Sequence, residues 1–239
     1  MSFSESDLWE HLNDPRDKQP NAKWLGEVYS LALTKELREA IAAQLGLLAQ
    51  EGWSTLKSLS KKFGSQPELI HAAGMCHQKE ARDWLLKLLE EQQEVNIVVL
   101  KALACWGASI PNNLLSKILN QPALDIRLAG LELLSFKAHQ LSDNDLLKLT
   151  KTLLDDFRDP IVINTIKILQ RRDGVAICHV LHSIVQEGSE ATAQSAIMAL
   201  GSIGTMISHG KLIKLGQQLP PGKRLNLVNK QLQHQYRFL

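Results

Sequence analysis

The segment CHVLH, residues 178 to 182, sets Cys178 and His182 four residues apart on one helical face, with His179 three before His182. A thiolate and an imidazole at that spacing could supply two ligands to a metal ion. No second pair accompanies them, and neither HEXXH nor paired CXXC occurs, so the expectation is that no metal is held. AAGMCH (72 to 77) puts Cys76 beside His77, a thiol that the packing pattern below accounts for. In RDWLL (82 to 86), Asp83 stands next to Trp84; read plainly, it is a surface acid beside a buried indole. No Ser, His and Asp set suggests a nucleophilic triad. SESD (4 to 7) is a helix-capping signal, and the endings CWG and LGSIG read as helix C-caps rather than phosphate loops, because no strand precedes them.

The elements that must position these residues are repeated helices. VVLKALACWG (98 to 107) and SAIMALGSIG (195 to 204) are near copies, and an apolar column runs Leu45, Cys76, Leu103, Leu134, Leu169, Leu200. Its gaps are 31, 27, 31, 35 and 31 residues; the two exceptions differ from 31 by four, about one helical turn, which keeps the faces in register. Three positions earlier stand Ala42, Ala73, Leu100, Leu131, Ile166 and Ile197, and four earlier Ile41, Ala72, Val99, Gly130, Thr165 and Ala196. That i, i+3, i+4 spacing predicts one buried stripe per helix, and its small residues let neighbouring backbones approach closely. Each such helix is called A. A second apolar helix, B, is predicted after each, over 53–63, 81–91, 113–121, 144–157, 174–187 and 211–219, with breakers such as GSQP, NQP, RDP, EGS and PPG between pairs. Six pairs at a period near 31 predict an all-α α-solenoid with helical caps. The caps are residues 1–33 and a basic closing helix in 220–239, leaving 34–219 for the repeats; Trp53, Trp84 and Trp106 are expected to wedge between repeats.

Charge sorts by helix. The predicted B helices carry Lys57, Lys61, Lys62, Arg82, Lys87, Lys117, Lys148, Lys151, Lys211 and Lys214, with Asp83 and, at the start of the fourth, Asp145 the only acids before their C-terminal turns. Acids gather at helix ends and linkers, including Glu90, Glu91, Asp143, Asp155, Asp156 and Asp159. Net charge is only +2, too little to argue for nucleic acid by itself. No run reaches the roughly 18 apolar residues a membrane span needs, and the acidic first residues do not resemble a secretory leader. Three separated cysteines, Cys76, Cys105 and Cys178, are expected as buried hydrophobes in a reducing, cytoplasmic setting without membrane contact.

LREAIAAQLG (37 to 46) and DIRLAGLELL (125 to 134) resemble the first helix of HEAT repeats, with Arg38 and Arg127 seven residues before the anchor leucine and an Asp-Pro at 159–160 resembling the dipeptide that opens such repeats. The short period and the Ala-Leu-Gly endings are most similar to the HEAT-like repeats named after cyanobacterial phycobilisome lyases. Leu69, Asn96, Val162 and Ala193 replace the arginine, so any Asp–Arg ladder between repeats is partial. The resemblance implies a right-handed superhelix whose B helices line the concave side, hence a basic groove with an acidic rim. Lys57, Lys61, Lys87, Lys117, Lys148, Lys151, His179, His182 and Lys214 are its candidate binding residues. Such a groove would attract an acidic protein, a propionate-bearing tetrapyrrole (bilin) or a phosphate backbone. The implied role is a binding scaffold without a cofactor, acting in bilin attachment to or removal from phycobiliproteins, with a second HEAT subunit as a further partner. The competing resemblance is to alkylpurine DNA glycosylases, which would make Asp83 catalytic and nucleic acid the partner.

Overall fold

The computed structural model describes residues 4–13, 21–91, 94–107 and 109–236. Among them are fifteen α-helices, a single 3-10 turn and no strand, so the chain is an all-α solenoid of helix pairs. Residues 237–239 of the closing segment lie outside the described residues. The helices form two compact units, Met1–Ile110 and Pro111–Leu239.

In the first unit, α1 (Glu5–Asn13) and α2 (Ala22–Val28) precede the A helices α3 (Lys35–Leu47), α5 (Pro67–Met75) and α7 (Ile97–Trp106) and the B helices α4 (Ala49–Phe63) and α6 (Lys79–Glu91). The A helices pack in succession, α3 on α5 and α5 on α7, while α2 covers α4. Small residues make the A contact close: a Cβ on Gly74 would collide with the carbonyl oxygen of Ala102 and lie 2.9 Å from its Cα. The tryptophans do wedge between repeats. Trp53 and Trp84 meet with ring centroids 5.7 Å apart, and Trp106 Nε1 donates to the Gln78 carbonyl at 3.0 Å.

The second unit continues with B helices α8 (Asn112–Leu119), α10 (Asp143–Leu154), α12 (Val175–Glu187) and α14 (Met206–Gln218), A helices α9 (Leu124–Lys137), α11 (Asp159–Leu169) and α13 (Glu190–Ile203), and the closing helix α15 (Lys223–Tyr236). Two layers result, α9–α11–α13 and α8–α10–α12–α14. Helix α15 packs on α13 and α14, where a further A helix would stand. Arg224 fastens it, donating to Glu190 Oε2 at 3.0 Å and to the carbonyls of Val185 and Gly188.

The apolar column is the core seam: Leu45, Leu103, Leu134, Leu169 and Leu200 are fully buried and Cys76 nearly so, as are the positions three residues before each. Each fully buried leucine contributes about 1.5–3 kcal/mol. Cys105 departs from the expectation. Two residues past the anchor Leu103 it turns to the opposite side of α7 and is exposed. Helix ends follow local chemistry. Asn21, Asn96, Ser142, Ser189 and Thr205 cap with their side chains, Pro67 and Pro160 sit in first turns, and Gly107 and Gly204 close α7 and α13 at φ of 73° and 65°.

The partial ladder exists and is mixed in chemistry. Arg38 Nε donates to Glu68 at 2.8 Å, sharing that buried carboxylate with the Tyr29 hydroxyl, and Arg127 bridges to Asp156 one repeat ahead. Arg172 adds a rung outside the arginine column, to Asp143 at 2.9 Å.

Candidate functional site

The B helices of the second unit carry a column that repeats with the fold. Lys117, Lys148 and His179 follow one another in two steps of 31 residues, on α8, α10 and α12, and all three are exposed. Equal spacing in successive packed helices puts them at equivalent positions. Between α10 and α12 opens a groove of about 910 Å³. Lys148 and Lys151, one turn apart on α10, and His179 on α12 line it, so three of the sequence-derived site residues are brought together. Leu147, Leu154, Val162, Val180 and Ile184 supply its apolar surface, and Asp155, Asp159 and Glu187 its far end, where both B helices terminate.

That end is built by one carboxylate. Helix α10 stops at Leu154, three residues short of the predicted boundary, because Asp156 turns inward: its side chain is only 2% exposed. Its Oδ1 accepts from the backbone N–H and Nε of Arg158, both at 2.9 Å, and Oδ2 from Arg158 Nη2 at 2.9 Å and from Arg127 Nη1. The Arg158 hydrogen bonds, then the charges of Arg158 and Arg127, outweigh burial and draw this carboxyl down to about 2. Asp159 Oδ1 accepts from Ser189 Oγ at 2.8 Å. Between these fixed residues Phe157 is 90% exposed at the groove, with the Arg158 guanidinium 5.2 Å from its ring centroid.

The remaining candidates are distributed. Lys57 and Lys61 on α4 and Lys87 on α6 are exposed and belong to the first unit; Lys87 lies 3.5 Å from Glu91. Lys214 on α14 is exposed. His182 is half-buried, with Nε2 enclosed and making no hydrogen bond; burial, followed by the charges of Lys211, His179 and Lys214, holds its imidazole below the ordinary range. Cys178 is fully buried, and among the described residues no group of three or more His, Cys, Asp or Glu is arranged to hold a metal ion. Asp83 is exposed and accepts from the neighbouring Arg82 at 2.8 Å. Sequence reasoning missed Phe157 and Asn144 as groove residues, and Arg158 as the residue that fixes Asp156 beside them. The written signal for Phe157 and Arg158 was DDFRDP, an aromatic set among charges where a helix was expected to run on. No helix among the described residues is long and apolar enough to cross a membrane.

No family model matches the chain, and no curated protein matches it in sequence. Solved structures do match in fold. An engineered protein is 15% identical, with 98% of this chain and 71% of that one covered at a TM-score of 0.55. The complex of CpcE and CpcF of phycocyanin lyase from Nostoc sp. PCC7120 is 15% identical, covering 93% and 98% at 0.48. A designed armadillo repeat protein is 15% identical, covering 96% and 99% at 0.40. The likeness to the engineered protein agrees with the all-α fold of successive helix pairs described above.

Proposed function

We propose that this HEAT-like solenoid is a binding scaffold that takes an acidic protein partner on the lysine-bearing faces of its B helices, in a reducing, cytoplasmic compartment. One observation carries the reading: the exposed Lys117, Lys148 and His179 recur at the repeat period, and Lys148 and His179 of that column line an open groove. A surface with repeated lysines steers an anionic partner and fixes its register through many weak contacts rather than one strong one. The resemblance in repeat length and Ala-Leu-Gly endings makes a phycobiliprotein the partner class, with bilin attachment or removal as the process served. A tetrapyrrole could reach the same lysines through its propionates as a ligand, and no resident cofactor is invoked.

The test replaces Lys87, Lys117 and Lys148 together by Glu and measures binding to an apo-phycobiliprotein subunit by calorimetry at two salt concentrations. Exposed ion pairs contribute about 0.2–1 kcal/mol each, and reversal roughly doubles the effect, so the three changes together total about 1–6 kcal/mol and affinity should fall about ten- to ten-thousand-fold. Circular dichroism and melting should be unchanged, because all three side chains are exposed. Binding that is unaltered in the triple variant, or insensitive to salt in the parent protein, overturns the reading. Duplex DNA serves as the anionic comparator.

A further inference from the structure

We propose that the groove between α10 and α12 is a docking cleft for one amphipathic helix of the partner, anchored on Phe157, with the helix's acidic end beside Lys148 and Lys151 and its basic end beside Asp155, Asp159 and Glu187. The proposal rests on the scaffold reading and specifies the occupant.

Phe157 carries the first part of the argument. A phenylalanine left 90% exposed forgoes the burial that stabilises most aromatics, about 1.5–3 kcal/mol. It is not on a loose segment. Asp156 on one side is 2% exposed and accepts four hydrogen bonds, and Arg158 on the other makes three of these and also donates to the Pro122 carbonyl at 2.9 Å. An aromatic ring presented on a fixed backbone has already lost the entropy that binding would otherwise cost, which is the profile of an interface anchor.

The cleft supplies the second part. Its lining residues along α10 and its C-cap run from Asn144 to Asp155, twelve residues and about 16 Å, which accommodates three turns of a helix lying alongside. Leu147, Leu154, Val162, Val180 and Ile184 offer an apolar bed for a leucine face.

Charge then selects the occupant. Lys148 stands in the middle of α10 and Lys151 in its last turn, while Asp155, one turn beyond Lys151, joins Asp159 and Glu187 past the helix end. A uniformly acidic segment would meet three carboxylates there, and a uniformly basic one would meet both lysines. A helix acidic in its first turns and basic in its last satisfies both halves, and helices favour that order through their own dipoles.

The experiment uses the full chain and fluorescein-labelled peptides of about 15 residues with leucines at i, i+3, i+4 and i+7. One peptide has Glu flanks in its first half and Lys flanks in its second; others carry only Glu or only Lys. Anisotropy should show the bipolar peptide binding at least about tenfold tighter than either uniform one. Phe157→Ala should weaken it about tenfold or more without lowering Tm, since the ring is solvent-exposed. Lys148→Glu combined with Lys151→Glu should shift preference to the all-Lys peptide. Equal binding by Phe157→Ala, equal or tighter binding of the all-Glu peptide, or no binding of any peptide at about 1 mM overturns the proposal. A concentration-dependent dimer abolished by Phe157→Ala, with no peptide bound, also overturns it and assigns the cleft to a second copy. Failure of this inference is distinguishable from failure of the scaffold reading, because Lys87→Glu with Lys117→Glu tests partner binding through lysines outside the cleft lining.

Discussion

Replacing Asp156 by Asn tests whether a single buried carboxylate holds the junction between the fourth B helix and the next A helix. The carboxylate accepts from two arginines that are 16% and 20% exposed, and its proton is lost near 2 rather than near 3.8. Folding therefore favours the ionised form. Since the unfolded chain binds the proton more readily, this stability is complete above the unfolded value, near pH 4–5, and drains as pH falls through about 2. At about 1.4 kcal/mol per pH unit the displacement is worth about 2 kcal/mol, and solvent screening of the partly exposed guanidiniums reduces it to about 1–2 kcal/mol. Asn keeps the shape and one acceptor but leaves two guanidiniums facing each other without a counter-charge. The expected loss at pH 7 is about 2–3 kcal/mol, or about 4–10 °C in Tm for a chain this long.

Urea melts of the parent protein and Asp156→Asn at pH 7, and then stepwise to pH 2.5, check this. The two stabilities should converge as pH falls, because the acid sensitivity belongs to a group that only one of them has. Other carboxylates held low, such as Glu190 beside Arg224, are common to both and cancel in the difference. A loss under about 0.5 kcal/mol at pH 7, or parallel pH curves, would refute the reasoning.

Further outcomes follow from close packing. Gly74→Ala should cost about 1–3 kcal/mol in urea melts, since its Cβ collides with backbone of α7 that cannot move aside, whereas Gly210→Ala, with nothing within 4 Å, should be neutral or stabilising by up to about 1 kcal/mol. Equal effects at the two sites would contradict the close approach of α5 and α7. In thiol titration at pH 8, Cys105 should be modified in the folded protein, while Cys76, pushed up to about 12 by burial, and Cys178, also raised chiefly by burial, should react only on unfolding. Rapid modification of all three thiols without loss of structure would count against the buried seam.

The seam was readable because its cause is local and periodic. A residue at the anchor position is buried whatever repeat it stands in, and Cys76 in place of leucine obeys the same rule as Leu45 or Leu200. Arg38 and Arg127 were readable through the resemblance to HEAT repeats, which implies an arginine seven residues before the anchor leucine. Arg172 and Arg224 were not: they reach Asp143 and Glu190 from loop and cap positions that the period does not govern. The lysines of the B helices were legible as exposed charges, but their meeting with Asp155, Asp159 and Glu187 in one cleft was not, since helix ends depend on capture by distant groups. Arg127 lies 29 residues before Asp156, and no pattern of apolar spacing around DDFRDP says that the second aspartate turns inward.

That hidden contact decides the character of the cleft. Had α10 continued to Phe157, helical periodicity would govern where the ring pointed and no rigid turn would present it. Because Asp156 ends the helix early, the same residues give an ordered turn, an exposed aromatic and a carboxylate-lined end facing two lysines. Lys117 and Lys148 stand at equivalent repeat positions, but among the described residues the cleft end beside Lys148 takes its shape from the ion cluster that cuts α10 short, and on the docking proposal that local shape rather than the repeated charge would set which partner helix fits.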